Sequence, residues 1–269
     1  MRAPDATQLI GARPDLLTWR RPAATQIVGC PLPHLGLGDR LLLRALAMYA
    51  ARHVVAIDGI QHIRPAHDPF ILVANHSTRR ESLLVPAMLL LHRGGSRVHF
   101  LADWNFRLIP GVGLLYARAQ VITVTRKSAK PRLLNTLKRL YQHPLPTLER
   151  ARAHLAAGRA VGIFPEGEVN RNPTQLLRGR HGAARLSLET GVPVVPMGIR
   201  FPGGAPGRAF KVRSGMELQI GAPLLPPGPS EHRVSLSQVC TWHGVIMSEI
   251  ARLSGKAWAR PGKAMDHDG

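Results

Sequence analysis

Short apolar runs rich in β-branched residues alternate with helical stretches along most of this chain. The runs predict strands at residues 54–58, 70–74, 98–102, 121–124, 160–164, 192–199 and 216–220. Helical patterns fill the gaps at about residues 80–92, 131–142, 147–157, 181–190 and 232–253. Such alternation is typical of a sheet covered by helices on its faces. We therefore predict an α/β domain with a largely buried sheet.

The 269 residues suffice for one domain with a sizeable core. Residues 1–34 are rich in Pro and Arg and lack periodicity, so we predict an irregular N-terminal arm. Residues 35–255 show neither a repeat nor a linker and are predicted to form a single domain. Residues 256–269 are predicted to be a flexible basic tail. Within the domain, residues 36–52 predict a basic amphipathic helix that either packs on the core or docks on a membrane.

The chain is strongly basic, with 36 Lys and Arg, 16 Asp and Glu, and a net charge of +20. This charge attracts any anionic partner, whether nucleic acid, an anionic membrane, an acidic carrier protein or a phosphorylated small molecule. Only 6 Phe, 4 Trp and 3 Tyr are present, whereas proteins that bind single-stranded nucleic acid usually combine basic residues with stacking rings. A basic nucleic-acid-binding protein remains an alternative that explains the charge.

The two cysteines, Cys30 and Cys240, form no Cys-x-x-Cys pair, which favours a reducing compartment over a disulfide framework or a zinc ribbon. No apolar stretch follows the basic start, so we expect no secretory signal. The longest apolar run, residues 83–91, has about half of the ~18–20 residues needed to span a bilayer. We expect a protein that can lie on a membrane without crossing it.

The first group of chemistry-bearing residues, Asn75, His76 and Glu81, follows the predicted strand 70–74. Ligands of open α/β sheets bind at such strand ends. An acid five residues after a histidine can fold back and hold one ring nitrogen, which leaves the other as a base. The pair also fits a purely structural hydrogen bond. A metal site is not indicated, because the His-x-x-x-His spacing is absent.

A second group lies at the end of the predicted strand 160–164. Proline and glycine end this strand sharply, and the glycine lets a substrate approach the backbone. Three arginines follow within a short window, where they form either an anion cradle or a solvated face. The residues of this group are Phe164, Pro165, Glu166, Gly167, Arg171, Arg178 and Arg180.

Two further segments complete a pattern of four blocks. One runs from a Pro110-Gly111 turn to a strand followed by Arg126, and the other is the buried-strand pattern at residues 192–197. Taken in this order, the four segments resemble the glycerolipid acyltransferase family, specifically its 1-acylglycerol-3-phosphate acyltransferase branch, over about residues 54–200. The resemblance implies an α/β fold with a mixed, mostly parallel sheet flanked by helices and a short N-terminal helical extension.

Two residues depart from the family pattern. The first block, Asn-His-x-x-x-x-Asp, has Glu81 in place of the aspartate, a side chain one methylene longer. The third block, Phe-Pro-Glu-Gly-Thr/Ser, has Glu168 in place of the hydroxyl residue. The extra negative charge should disfavour a phosphomonoester acceptor unless nearby arginines offset it. Glu81 also leaves open a non-catalytic lipid-binding relative.

By this resemblance the protein moves a fatty acyl group from acyl-CoA or acyl carrier protein to a hydroxyl of a 1-acylglycerol-3-phosphate-like lysophospholipid, in phospholipid biosynthesis or remodelling. His76 is implied to be the general base and Glu81 the acid that orients it. No metal and no cofactor besides the acyl co-substrate is implied. The substrate-binding residues implied are Asn75, Arg126, Phe164, Pro165, Glu166, Gly167, Arg171 and Arg180.

The implied partners are the lysolipid, the acyl donor and an anionic membrane surface, with no nucleic acid among them. The corresponding location is the cytoplasm, at the inner face of the cell membrane. A basic surface gains roughly 1 kcal/mol per Lys or Arg near an anionic leaflet. Residues 36–52 and 83–91 are the expected docking surfaces.

Overall fold

The computed structural model describes residues 19–20, 24–109, 111–129, 132–202, 215–228 and 234–259. Within these residues eight strands form one sheet, and the predicted α/β architecture is confirmed. The strands are β1 (Trp19–Arg20), β2 (Val54–Asp58), β3 (Ile71–Ala74), β4 (Val98–Asp103), β5 (Ile122–Val124), β6 (Ala160–Ile163), β7 (Val194–Arg200) and β8 (Met216–Ile220).

Helices cover both faces of this sheet. The α-helices are α1 (Ala24–Gly29), α2 (Leu37–Ala50), α3 (Glu81–His92), α4 (Val112–Arg118), α5 (Thr147–Ala156), α6 (Gly182–Thr190) and α7 (Leu236–Ser254). Segments of 3₁₀ helix span Ile60–Ile63, Pro65–His67, Trp104–Leu108 and Arg132–Tyr141. The last of these lies within the helical stretch predicted at about residues 131–142.

The sheet is mixed and mostly parallel. Its order is β1-β2-β8-β7-β3-β6-β4-β5, and the five strands from β7 to β5 run parallel to one another. Strand β8 is antiparallel to β7 and parallel to β2, and β1 is antiparallel to β2. Strands β3 and β6 are therefore adjacent at the centre, and their carboxyl ends meet at the same edge of the sheet.

Alternate residues of the central strands fill two separate cores. In β3, Leu72 and Ala74 pack with α2 and α3, whereas Ile71 and Val73 pack with α5, α6 and α7. Every residue of β3 and β6 is buried, which explains why these strands are continuously apolar instead of alternating with polar residues.

The apolar run at residues 83–91 belongs to the core, so its expected role as a membrane-docking surface is wrong. Leu84, Val85, Met88 and Leu89 of this run are at most 1% exposed. They lie in α3, which packs against α2 and the sheet. A run of this length is too short to span a bilayer, and the fold uses it to cover one face of the sheet.

The predicted irregular arm and the predicted flexible tail both contain residues that are buried. Within the predicted irregular arm, Ile27 of α1 and Leu32 are buried against the core. Within the predicted tail, Lys256 is buried and Ala257 pairs with Gln175. Each segment is attached to the domain by a few buried or hydrogen-bonded residues. Contacts of this kind leave no periodic pattern in the sequence. Residues 1–18, 21–23 and 260–269 lie outside the described part of the chain.

Candidate active site

The loop after β3 brings His76 and Glu81 into direct contact. The distance between His76 Nδ1 and Glu81 Oε2 is 2.8 Å. Glu81 opens α3 and is fully buried, while His76 is 8% exposed. When the ring is neutral and Nδ1–H donates to the carboxylate, the lone pair of Nε2 is left to act as a base. The longer glutamate thus maintains the contact that the family pattern assigns to aspartate.

Backbone groups hold the Glu81 carboxylate in place. The N–H of Ser77 donates to Oε2 at 2.7 Å, and the N–H of Thr78 donates to Oε1 at 2.9 Å. Both groups precede the first turn of α3, where the N-terminal end of the helix favours negative charge. The loop therefore folds around the carboxylate and keeps the longer side chain in contact with His76.

Phe164 lies flat against the histidine. The centroids of the Phe164 and His76 rings are 4.6 Å apart, at an interplanar angle of 27°. Phe100 stacks on Phe164 in turn, at 5.5 Å. The stack fixes the plane of the imidazole, and the bond to Glu81 fixes the orientation of the ring within that plane.

Glu166 binds groups of the protein with both of its oxygens. Oε1 accepts the His76 backbone N–H at 2.9 Å, and Oε2 accepts Asn170 Nδ2 at 2.7 Å and the Leu177 N–H at 3.0 Å. The side chain belongs to a residue that is 5% exposed. Its predicted contact with substrate does not fit this geometry. Glu166 instead ties the loop after β6 to the loop that carries His76.

Asn75 also serves the framework, and its predicted contact with substrate does not fit the structure. Its Oδ1 accepts the N–H of Ile199 at 2.7 Å, and its Nδ2 donates to the carbonyl of Ile199 at 3.1 Å. Asn75 is fully buried. These two bonds connect the end of β3 to the neighbouring strand β7 directly before His76.

Gly167 is required by both its backbone and its neighbour. Its φ of +71° lies in the left-handed region, and a Cβ at this position would lie 2.7 Å from Arg180 Nε. The Arg180 N–H donates to the carbonyl of Pro165, and Lys127 Nζ donates to the carbonyl of Gly167 at 3.0 Å. The turn thus brings two cations from separate loops close to its backbone.

A large cleft of about 2060 Å³ opens beside His76. One wall is apolar and comes mainly from α2, α3 and β4. Exposed charged side chains from the loops after β5 and β6 line another part. The apolar lining includes Leu42, Leu46, Leu83, Ala87, Leu90 and Phe100, and the charged lining includes Arg126, Lys127, Glu168, Arg171 and Arg180.

The structure thus brings His76, Phe164, Arg126, Arg171 and Arg180 to one cleft, as the sequence predicts. Pro165 and Gly167 line it as well. Arg178 lies elsewhere, where its carbonyl accepts bonds from His243 and Trp258.

Two residues connected to the His76–Glu81 pair, Ser77 and Lys256, were not predicted from the sequence. Ser77, 2% exposed, accepts a hydrogen bond at 2.9 Å from the ammonium of Lys256, which is 6% exposed. Burial lowers the pKa of Lys256, while the nearby carboxylates of Glu81 and Glu166 act in the opposite direction. No signal in the sequence marks this lysine, because it lies 90 residues beyond Glu166 and outside the four blocks.

Two features are absent from the described part of the chain. No cluster of three or more His, Cys, Asp or Glu side chains is arranged there to hold a metal ion. Among the helices of the described ranges, none combines the length and the apolar character required to cross a bilayer.

Comparisons with known proteins bear on the family and on the fold. The family model Acyltransferase matches residues 54–200, more than half of the chain. The crystal structure of the 1-acyl-sn-glycerophosphate (LPA) acyltransferase PlsC from Thermotoga maritima has a similar fold, with a TM-score of 0.51 and 19% sequence identity over 84% of this chain and 86% of that chain. A comparison with curated proteins found no match. The family indicated by the four sequence blocks is thus confirmed, and the chain belongs to the acyltransferase family.

Proposed function

We propose that this acyltransferase moves a fatty acyl group from a thioester, acyl-CoA or acyl carrier protein, to the free hydroxyl of a 1-acylglycerol-3-phosphate-like lysophospholipid. The observation that carries the proposal is the His76–Glu81 pair beside a cleft that combines an apolar wall with exposed cations. The apolar wall suits acyl chains, and the cations suit a phosphate headgroup. The similar fold of a lysophosphatidate acyltransferase supports the same class of acceptor.

The proposed reaction is a direct transfer. His76 Nε2 takes the proton of the acceptor hydroxyl while the oxygen attacks the thioester carbonyl. The new C–O ester bond forms, the C–S bond breaks, and the departing thiolate takes the proton from the imidazolium. Glu81 stabilises the imidazolium and holds its orientation. General-base assistance of this kind is worth about 10²–10⁴ in rate, and positioning of the two substrates supplies much of the rest.

Acyl transfer to a panel of acceptors tests this proposal. Purified protein is incubated with a radiolabelled acyl group on CoA or on acyl carrier protein, together with lysophosphatidate, lysophosphatidylcholine, lysophosphatidylglycerol or monoacylglycerol. We expect label in the diacyl product, with the highest kcat/KM for lysophosphatidate. Transfer to none of the lysolipids with either donor would contradict the proposal, and a preference for the uncharged acceptor would contradict the role of the cations.

Glu168 should weaken binding of a phosphomonoester, because it lines the cleft among the cations. Glu168→Thr removes one negative charge near Arg171 and Arg180. We expect KM for lysophosphatidate to fall by about two- to fivefold, since exposed charges are screened by solvent, and KM for a zwitterionic lysolipid to change little. Glu217→Gln, which changes a glutamate of β8 outside the cleft lining, is the matched control. An unchanged ratio of kcat/KM between the two acceptors would exclude Glu168 from acceptor selection.

A membrane-facing surface is proposed around the mouth of the cleft. Helix α2 contributes cleft-lining residues on one side and exposes Leu37 (77%) and Leu41 (67%) to solvent. The segment Arg132–Tyr141 contributes Leu134 to the cleft and exposes Leu133 (71%) and Leu140 (75%) next to Lys138 and Arg139. Exposed leucines beside basic side chains suit the interface of an anionic membrane. A water-insoluble acceptor would enter the cleft from that interface at the inner face of the cell membrane.

Binding to vesicles should depend on anionic lipid and on salt. We expect co-sedimentation with phosphatidylglycerol-containing vesicles that is largely reversed at ~0.5–1 M salt, where the Debye length is only a few ångströms. The double variant Leu133→Ser/Leu140→Ser should bind about three- to tenfold more weakly, because leucine burial adds to the attraction. Leu225→Ser, at a leucine 75% exposed outside the cleft lining, is the control. Equal binding to neutral phosphatidylcholine vesicles would refute the role of charge.

A further inference from the structure

The C-terminal end of α7 delivers a lysine to the interior beside the active site. Gly255, with a φ of +69°, ends the helix, and the chain then turns inward at Lys256. The next residue, Ala257, is paired on both sides: its N–H donates to the carbonyl of Thr174, and its carbonyl accepts the N–H of Leu176. These bonds attach the segment to the loop that follows β6, so the position of Lys256 is fixed by backbone pairing.

The Lys256 ammonium connects two loops of the site. Nζ donates to Ser77 Oγ at 2.9 Å and to the carbonyl of Asn172 at 2.8 Å. The N–H of the same Ser77 donates to Glu81 Oε2, the oxygen that also holds His76 Nδ1. A chain of three contacts therefore runs from the lysine through Ser77 and Glu81 to the imidazole, and the residues along it are at most 8% exposed.

Charge gives this lysine a role that a neutral side chain would not fill. Two buried carboxylates, Glu81 and Glu166, lie near Lys256 and interact favourably with its ammonium. Buried carboxylates are costly unless hydrogen bonds and opposite charge compensate them. The ammonium itself is costly to bury, and the backbone bonds of Ala257 already attach this segment, so the charge of Lys256 is not needed for the attachment alone.

We infer that Lys256 is a positioning residue of the acyl-transfer site, which holds Ser77 and provides the counter-charge for the buried carboxylates, so that Glu81 stays aligned on His76. The inference rests on the proposed roles of His76 and Glu81. It adds a residue that lies outside the matched range 54–200 and does not touch substrate. Its effect should appear in kcat and hardly in KM, because the lysine supports the base and does not line the cleft.

Kinetics of lysine variants test the inference, with palmitoyl-CoA and 1-palmitoylglycerol-3-phosphate as substrates. Lys256→Met removes the charge and both hydrogen bonds at similar volume, and Lys256→Gln keeps a donor in case the methionine variant does not fold. We expect either folded variant to lose about 10- to 100-fold in kcat, with KM within about threefold, because small displacements of a catalytic group have effects of this size.

Trp258→Leu is the matched control, since it weakens the same segment at the contact of Trp258 with Arg178 and His243 without touching Ser77. We expect a lower melting temperature for this variant but kcat within about threefold of wild type. An equal loss of kcat in Trp258→Leu would reduce Lys256 to a structural role. Near-normal kcat in a folded Lys256 variant would likewise overturn the inference.

A double-mutant cycle with Ser77→Ala tests the route. If Lys256 acts through the Ser77 hydroxyl, the effects of Lys256→Met and Ser77→Ala on kcat will be strongly non-additive, whereas independent effects would multiply and contradict that route. The wild-type enzyme and His76→Ala, measured in parallel, separate a failure of the proposed function from a failure of the inference about Lys256. Absence of acyl transfer by the wild-type enzyme would remove the proposed function, and full activity of His76→Ala would remove the proposed role of His76. Inactivity of His76→Ala beside fully active lysine variants would remove only the inference about Lys256.

Discussion

Replacing His76 by alanine is expected to lower turnover at least 100-fold while leaving the fold intact. The imidazole is the group of the His76–Glu81 pair that can accept the proton of an attacking hydroxyl, and loss of such a base typically costs 10²–10⁴ in rate. The backbone N–H and carbonyl of His76, which bind Glu166 and Asn170, are retained in the variant. Release of CoA thiol with lysophosphatidate as acceptor measures the loss.

The matched control for this variant is His67→Ala, which removes an exposed histidine outside the cleft lining. We expect wild-type turnover for the control and melting temperatures close to wild type for both proteins. Turnover within a few-fold of wild type in folded His76→Ala would exclude the histidine as general base.

Glu81→Gln is expected to abolish most of the activity, whereas Glu81→Asp should retain at least about a tenth of it. The carboxylate accepts bonds from the ring and from the N–H groups of Ser77 and Thr78. An amide has only one oxygen to accept these three donors, and it carries no charge to stabilise an imidazolium. Aspartate keeps the charge and both oxygens, and the short loop can close the distance of one methylene.

Steady-state kcat and thermal melting of both variants distinguish catalysis from stability. A neutral amide facing buried N–H donors should also lower the melting temperature, because a buried donor left without an acceptor costs about 1–3 kcal/mol. Equal activity of Glu81→Gln and wild type at a temperature where both are folded would show that the glutamate has only a structural role, as in a non-catalytic relative.

The central strands and the contact between His76 and Glu81 could be predicted from the sequence because their signals are local. β3 and β6 are short, continuous apolar runs, and strands of this kind are buried on both faces. His76 and Glu81 follow β3 at a spacing that one loop can close. Arg126 and Arg171 each follow the end of a predicted strand. A parallel sheet brings the carboxyl ends of its strands to one edge, so the two arginines are expected on the same side of the sheet.

The roles of Asn75, Glu166 and Lys256 could not be predicted, since each depends on a contact distant in sequence. Asn75 binds Ile199, 124 residues away, and Lys256 binds Ser77, 179 residues away. A polar residue in a strand-end motif is compatible with either substrate binding or a buried framework bond. Only burial and bonding partners separate the two, and for Asn75 and Glu166 they identify framework bonds.

The environment of the apolar run at residues 83–91 could not be predicted from its hydrophobicity. Such a run suits either a membrane surface or a protein core, and the structure shows that it packs in the core against α2. The exposed leucines that could meet a membrane lie in α2, within the amphipathic helix predicted at residues 36–52, and in the segment Arg132–Tyr141. In the segment Arg132–Tyr141 they alternate with basic and polar residues, so they form no long apolar run in the sequence.

The most direct measurement of the central claim follows a labelled acyl group in a single turnover. Wild-type enzyme in excess over ¹⁴C-palmitoyl-CoA is mixed with 1-palmitoylglycerol-3-phosphate and quenched, and the label is located in the diacyl lipid, in free fatty acid or on the protein. We predict that label passes to the diacyl lipid in wild type and remains on CoA in His76→Ala over the same time. Label that stays on CoA in wild type, or that reaches the diacyl lipid equally fast in both proteins, would contradict base-assisted acyl transfer by His76.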